Sequence, residues 1–191
     1  AYEIMPSLVD SEMCIRDRFI PGQVRGRIDE TAQMALRLDA AMAEVSLPNG
    51  QRSDDFARAE RSAWEETGEA YRPTLLADVP LIPAHTALLA TTVYHGTNPP
   101  GIVELVPSES PRPAGWGAAL VIVDGLIAQA VDDGICQRFS HVPGMQELLL
   151  RAVSYRRHIN DLHPTSRSNT RSHIERVEQH LVSQASAILE R

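Results

Sequence analysis

The sequence predicts an all-α protein, a bundle of five to six helices with an irregular, proline-rich middle segment. Five stretches repeat apolar residues at spacings of three and four, which places those residues on one face of a helix. Strand signals are confined to the short β-branched run at residues 91–94. Apolar residues make up 43% of the chain and charged residues 23%, as in ordinary globular proteins, and only 5% are aromatic. We therefore expect an aliphatic, alanine-rich core.

The first two predicted helices lie in the N-terminal part of the chain. Residues 24–45 carry one apolar stripe, and the turn residues at 47–50 end it. Ser53 is the expected N-cap of a second helix, which runs to about Tyr71. Two aspartates follow Ser53 and favour the positive end of that helix.

The middle of the chain has two possible secondary-structure interpretations. Residues 72–115 contain eight prolines, which divide the region into short pieces. A helix over residues 83–92 is one interpretation, and a short strand at 91–94 is the other. Residues 108–115 are predicted to form a surface loop.

Three further helices are predicted in the C-terminal part. Residues 116–138 are apolar on nearly all sides, so this helix should be central. After a break at 140–144, residues 145–162 form an amphipathic helix. Ser172 and Glu175 match a capping box and predict the start of the last helix.

Charge and cysteine content exclude several classes of function. All 18 basic residues are arginine, and the chain has 25 acidic residues. The resulting net charge of −7 argues against a generally basic nucleic-acid binder. Without lysine, no Schiff-base or phosphate-loop lysine can exist. The two cysteines, Cys14 and Cys136, are too few for a disulfide framework. The longest apolar run, 118–131, is shorter than the ~20 residues of a membrane helix. We expect a cytoplasmic protein with no membrane partner.

The first 18 residues, AYEIMPSLVDSEMCIRDR, differ from the rest of the chain. They resemble the peptide that results when sequencing-adapter DNA is translated. We therefore expect residues 1–18 to be a non-native or disordered leader and residues 19–191 to form a single helical domain. Deleting the leader should leave the melting temperature unchanged.

The string Tyr94-His95-Gly96-Thr97 resembles the histidine segment of diphtheria-toxin-like ADP-ribosyltransferases. In that family the histidine holds the nicotinamide nucleotide. The resemblance implies a small nicotinamide-nucleotide-using transferase centred on residues 94–97, with Tyr94 and His95 as ligand contacts. That family has a β-rich fold, which differs from the helical pattern of this sequence. The other interpretation is a helix or strand that ends at Gly96, with His95 near its end.

Residues 121–129, an apolar helix with Asp124 in its middle, resemble the penultimate long helix of tetracycline-repressor-type regulators. That resemblance implies an all-α domain that binds a ligand and dimerises. Trp116 and Asp124 are then candidate ligand contacts. A buried carboxylate is costly unless it is paired, so Asp124 is expected to pair with an arginine or a helix cap, or else to contact a ligand.

Other polar groups have two interpretations each. Asp132 and Asp133, with Cys136 and His141, form either a metal or diphosphate site or a solvated helix end compensated by Arg138. Residues 19–150 hold 9 arginines and 17 acids, whereas residues 151–191 hold 7 arginines and 4 acids. The late arginines either contact phosphates or an acidic partner, or dock against the acidic part of the same chain. They are Arg156, Arg157, Arg167 and Arg171.

Taken together, these patterns favour a non-enzymatic helical module for dimerisation or for sensing a small apolar ligand. The expected partners are a second copy of the chain and that ligand, with no nucleic acid bound by this region. The late histidines are scattered without metal-site spacing, so neither a metal nor a cofactor is predicted. The alternative is the nicotinamide-nucleotide-using transferase.

Overall fold

The computed structural model describes residues 21–46, 52–70, 76, 78–94, 100–163 and 168–189. The predicted leader and His95 lie outside these residues. The described part contains seven helices and four short strands. The helices are α1 (Pro21–Met42), α2 (Asp55–Ala70), α3 (Leu88–Thr91), α4 (Trp116–Ile127), α5 (Gly134–Arg138), α6 (Met145–Leu162) and α7 (Ser168–Leu189). The strands are β1 (Leu81–Ile82), β2 (Thr92–Val93), β3 (Gly101–Ile102) and β4 (Arg112–Pro113).

Helix α4 lies at the centre of the described structure. It packs against α1, α3, α6 and α7, and every residue of α4 except Asp124 and Ile127 is buried. Gly125 permits the close approach of α1, because a Cβ there would lie 2.8 Å from Ile28 Cγ2. The prediction of a central, almost wholly apolar helix is confirmed.

The length predicted for this central helix is wrong. Helix α4 ends at Ile127, the chain turns at Gln129 with a φ of 55°, and the separate helix α5 follows. The Ala130 N–H donates to Gly125 O at 2.9 Å, and the Gly134 N–H donates to Asp132 Oδ1 at 3.1 Å. Short aspartate side chains that bond nearby backbone groups favour turns, and this local chemistry overrides the continuing apolar pattern.

The prediction that the described part is mostly helical is confirmed, but two small antiparallel sheets were not predicted. In the first, Leu81 of β1 pairs with Pro113 of β4. In the second, Thr92 of β2 pairs with Ile102 of β3. The two interpretations of residues 83–94 each describe part of the structure, because α3 leads directly into β2.

The stretch 108–115 is not the surface loop that its composition predicted. Ser108, Arg112 and Gly115 are buried. The Ser108 hydroxyl accepts a hydrogen bond from the Ala84 N–H at 3.1 Å, and the Ala114 N–H donates to Pro80 O at 2.8 Å. Hydrogen bonds to residues distant in the sequence therefore satisfy backbone and side-chain polar groups of this stretch, so these groups can be buried.

Two predicted helix starts are also wrong. The Ala57 N–H donates to Asp54 Oδ1 at 3.0 Å, so Asp54 rather than Ser53 caps α2. Both residue types cap well, and the path of the chain selects between them. Helix α7 begins at Ser168, which places Ser172 and Glu175 inside the helix rather than at its start.

Candidate functional site

Three aromatic side chains meet where α2, α4 and α6 converge. Trp64 of α2 lies edge-on to Trp116 of α4, with ring centroids 5.3 Å apart. The Tyr155 ring, on α6, has its centroid 6.2 Å from that of Trp116. Trp116 and Tyr155 are almost completely buried. We call these three residues the aromatic cluster.

Two guanidinium groups lie over the Trp64 ring. The Cζ atom of Arg112, on β4, is 4.6 Å from the ring centroid, and that of Arg151, on α6, is 4.3 Å away. The negative face of an indole ring attracts such cations, more strongly where water is excluded. The two contacts join β4 and α6 to α2 through one side chain.

A glutamate pairs with each of these arginines. The Arg112 Nε–H donates to Glu60 Oε1 at 2.8 Å, and the second oxygen of Glu60 accepts from the Glu109 N–H at 2.8 Å. Arg151 donates through Nη2 to Glu147 Oε1 at 2.7 Å. Buried charges are tolerated when they are paired and hydrogen-bonded in this way.

Several donors around Trp64 have no acceptor in the described part of the chain. They are the indole N–H groups of Trp64 and Trp116 and the Nη2 group of Arg112. Arg112 Nη2 lies 3.8 Å from Glu109 Oε2, which is too far for a hydrogen bond. Buried donors are paired in the great majority of native structures, so a group of unpaired ones needs an explanation.

A shallow cavity of about 260 Å³ opens beside Trp64. Its lining residues come from α2 and from the segment that leads into β4. They are Arg61, Trp64, Glu65, Glu109, Ser110 and Arg112. Arg61 Nη1 donates to Glu109 Oε1 at 2.8 Å and holds that carboxylate at the cavity wall. Two residues with buried unpaired donors, Trp64 and Arg112, therefore line the cavity together with charged side chains of both signs.

Of the three sequence-predicted ligand residues that the structure describes, Trp116 alone belongs to this site. It lies in the aromatic cluster, behind Trp64, and does not line the cavity. Asp124 is paired with Arg156 through two hydrogen bonds of 2.6 and 2.7 Å. The expectation that an arginine compensates Asp124 is confirmed, and its role as a ligand contact stays a prediction.

Tyr94 lies against α1. Its hydroxyl is hydrogen-bonded to the Thr31 hydroxyl, and the Arg27 guanidinium lies 4.3 Å from its ring centroid. Burial raises the pKa of the Tyr94 hydroxyl above its ordinary value. These contacts do not join Tyr94 to Trp116 or Asp124, so these three described residues are not brought together.

The aspartate-rich segment lies in the turn before α5 and not at the end of a helix, so that part of the second interpretation is wrong, whereas the expected compensation by Arg138 is present. Arg138 donates to both carboxylate oxygens of Asp29, at 3.0 and 3.1 Å, and lies 3.5 Å from Asp132. Burial raises the pKa of the nearby Cys136 thiol to about 11. Among the described residues, no group of three or more histidine, cysteine or acidic side chains has the arrangement of a metal site.

For two of the late arginines, the structure supports the interpretation that they dock against the acidic part of the same chain. Arg156 binds Asp124, and Arg157 donates to Glu66 at 2.7 Å. Glu66 also contacts the imidazole of His158 at 2.8 Å. Arg167 lies outside the described residues.

Sequence reasoning missed Glu60, Trp64, Arg112 and Arg151, which form the site. A signal was present for two of them. Glu60 falls on the apolar face of α2, and Arg151 interrupts the run of leucines and alanine on α6. A charge at an apolar position of an amphipathic helix predicts a buried pair. Nothing in the sequence connects Arg112 to Trp64.

No family model, curated protein or solved structure matches this chain. None of the described helices is both long and apolar enough to cross a membrane. Function therefore has to be inferred from the site itself. Both oxygens of Glu60 are engaged, whereas the donors beside it are unpaired, and this arrangement suits binding of an acceptor group better than proton transfer.

Proposed function

We propose that the chain is a non-enzymatic helical module, a bundle around α4, that binds and senses a small ligand in the cavity beside Trp64. The observation that carries this proposal is that two of the residues lining the cavity, Trp64 and Arg112, each have a buried donor, Nε1 and Nη2, that lacks an acceptor among the described residues. A bound ligand that supplied acceptors would remove the cost of burying them.

The lining favours a polar ligand over the apolar one expected from the sequence. Four of the six lining residues are charged, and one of the remaining two is a serine. An apolar molecule would desolvate these groups without giving them hydrogen bonds, which is unfavourable. The ligand should therefore carry hydrogen-bonding groups.

Sensing follows from the position of the cavity. Trp64 connects α2 to β4 and α6 through the two guanidinium groups, so a ligand bound at the cavity stabilises the contact between three elements. A ligand that binds only the folded chain stabilises it by about 2.7 kcal/mol at 100 times its Kd. Binding should therefore be visible as a rise in the melting temperature.

Thermal unfolding of the full chain in the presence of a panel of small molecules tests the proposal. The panel comprises carboxylic acids, amino acids, amides and sugars. We expect at least one member to raise the melting temperature of the wild type and to lose this effect in Trp64→Phe, which keeps the aromatic ring but removes the indole N–H. Trp116→Phe is the matched control, because its indole N–H does not line the cavity.

Two results would refute the proposal. One is a panel in which no compound raises the melting temperature. The other is a ligand whose effect is the same in Trp64→Phe and in the wild type. Each variant is compared with its own ligand-free melting temperature, so a loss of intrinsic stability does not affect the conclusion.

Other parts of the sequence-based expectation stay predictions. Sedimentation equilibrium of the full chain tests the homodimer. Calorimetric titration with NAD tests the nicotinamide-nucleotide alternative, in which binding would be lost in His95→Ala. The cytoplasmic location is likewise a prediction.

A further inference from the structure

A histidine is buried in an antiparallel pairing between residues 84–86 and 106–108, which we call the paired segment. Two backbone hydrogen bonds of 2.7 and 2.8 Å join its two stretches. His85 lies between these bonds and is 3% exposed. Its backbone lies against α4, because a Cβ at Gly117 would be 3.1 Å from His85 O. His85 is therefore placed where the paired segment meets the central helix.

The hydrogen bonds of the His85 imidazole determine which of its nitrogens carries the proton. The Ala87 backbone N–H donates to His85 Nδ1 at 3.2 Å, so Nδ1 is unprotonated. The proton is therefore on Nε2, which lies 2.9 Å from Glu104 O and 3.3 Å from Thr91 Oγ1. The Thr91 hydroxyl can accept there, because it donates its own proton to Ala87 O at 3.1 Å. Both ring nitrogens are thus bonded in the neutral form.

A second proton on this ring does not fit the arrangement. A protonated imidazole donates from both nitrogens and accepts from neither, so its Nδ1–H would face the Ala87 N–H. Two donors that face each other in a buried site lose a hydrogen bond and gain none, which costs free energy. Burial lowers the pKa of His85 below its ordinary value, because it disfavours the charged ring, and the bond to Glu104 O opposes this shift.

The charged groups near His85 do little to favour a protonated ring. The Glu104 carboxylate attracts a charge on the ring, but this carboxylate is exposed and therefore screened by water. Helix α3 and strand β2 contain no titratable side chain. On α4, Asp124 is paired with Arg156, and on α1, Asp39 accepts from a backbone N–H. A positive charge on the ring is therefore more stable in water than in this site.

We infer that the paired segment is an acid-sensitive switch, in which protonation of His85 separates its two stretches while the bundle around α4 stays folded. The open form binds more protons at His85 than the closed form, so acid favours opening. The opening also affects the cavity, because the Ser108 N–H donates to Ala84 O at 2.7 Å and the next two residues, 109 and 110, line the cavity. The switch itself does not depend on a ligand in that cavity.

Hydrogen exchange of the full, isotope-labelled chain, followed by NMR at pH 7.5 and pH 5.5, measures the opening. Protection factors of the Thr86, Ala87 and Ser108 amides, each corrected for the intrinsic exchange rate, should fall about tenfold at the lower pH. The reason is that the open form takes up one proton below about pH 6.5, the ordinary pKa of imidazole. The Ala119 N–H of α4, which donates to Gly115 O, should stay more protected than these three amides.

Two variants assign the effect to one histidine. His85→Gln has no imidazole to protonate, so its protection factors should be the same at both pH values, whatever their absolute level. His141→Gln, at an exposed histidine, is the matched control and should keep the tenfold change. The nitrogen chemical shifts of the wild-type His85 ring provide a measurement that needs no variant, and at pH 7.5 they should show a proton on Nε2 and none on Nδ1.

Four results would overturn the inference. They are a proton on Nδ1 at pH 7.5, wild-type protection that is the same at both pH values, a tenfold change that persists in His85→Gln, and equal protection of the Ala87 and Ala119 amides at pH 5.5. The last result would mean that the paired segment opens only when the whole chain unfolds. If His85→Gln does not fold, the ring shifts and the wild-type exchange decide. None of these measurements uses a ligand, so failure of the switch and failure of the proposed function are separate.

Discussion

Replacing Asp39 by asparagine should stabilise the protein above pH 6. Asp39 is on α1, is 8% exposed, and accepts a hydrogen bond from the Gly115 N–H at 2.7 Å. Gly115 has a φ of 99° and immediately precedes α4. Burial raises the pKa of the Asp39 carboxyl from 3.8 to about 6, although the bond from Gly115 opposes this shift.

The sign and size of the effect follow from this raised pKa. Between pH 3.8 and about 6 the folded chain binds more protons at Asp39 than the unfolded chain does. Stability therefore falls as the pH rises through this window, and no Asp39 contribution remains below it. A rise of the Asp39 pKa from 3.8 to about 6 corresponds to about 3 kcal/mol of free energy of unfolding. Asparagine has no charge to desolvate, and its amide oxygen can still accept from Gly115.

Urea unfolding of the wild type and Asp39→Asn at pH 3.5 and pH 8 measures the difference. We expect the variant to be more stable by up to about 3 kcal/mol at pH 8 and equal to the wild type at pH 3.5. Asp78→Asn, at an exposed aspartate, controls for the change in net charge. The reasoning is refuted if Asp39→Asn is the less stable protein at pH 8, or if its effect is the same at both pH values.

Three further perturbations test the packing of the described core. Arg156→Met should lower the free energy of unfolding, measured in urea, by about 1–3 kcal/mol, because it leaves Asp124 unpaired. The loss should be smaller when Asp124 is also replaced by leucine. Additive effects of the two substitutions would contradict the pairing. Gly125→Ala should cost about 1–3 kcal/mol, because its Cβ would clash with α1, and an unchanged stability would count against that contact. In a Cys14→Ser chain, iodoacetamide should modify Cys136 slowly in the folded protein and rapidly once urea unfolds it. The reason is that the thiol is buried and its pKa is raised to about 11. Rapid modification of the folded protein would disprove this.

The long helices could be predicted from the sequence because burial requires a repeat of three to four residues. Helix α6 extends from Met145 to Leu162, the residues at which its apolar pattern begins and ends. The same rule predicted a helix that continues beyond the observed end of α4 at Ile127, because apolar residues continue past that position. The turn there depends on local aspartate and glycine chemistry, which a periodicity argument does not include.

The sheets and the site could not be predicted because they depend on residues distant in the sequence. Each strand has two residues, too few to show a period of two, and Leu81 pairs with Pro113 across most of the proline-rich segment. The Glu60–Arg112 pair spans 52 residues. No local pattern marks Arg112, in a proline-rich stretch, as the partner of a buried glutamate.

The cost of the arrangement around Trp64 is itself an argument for function. Buried ion pairs such as Arg112–Glu60 and Arg151–Glu147 contribute little net stability compared with well-packed apolar residues of similar size. Around them, indole and guanidinium donors are left without acceptors among the described residues, which costs further free energy. Elsewhere in the described part, Asp39 and Ser108 have partners, and two further buried atoms, Asn160 Oδ1 and His180 Nε2, have no hydrogen-bond partner. Departures from complete pairing are expected where a protein binds something, so the place where this chain departs most is the place to search for its ligand.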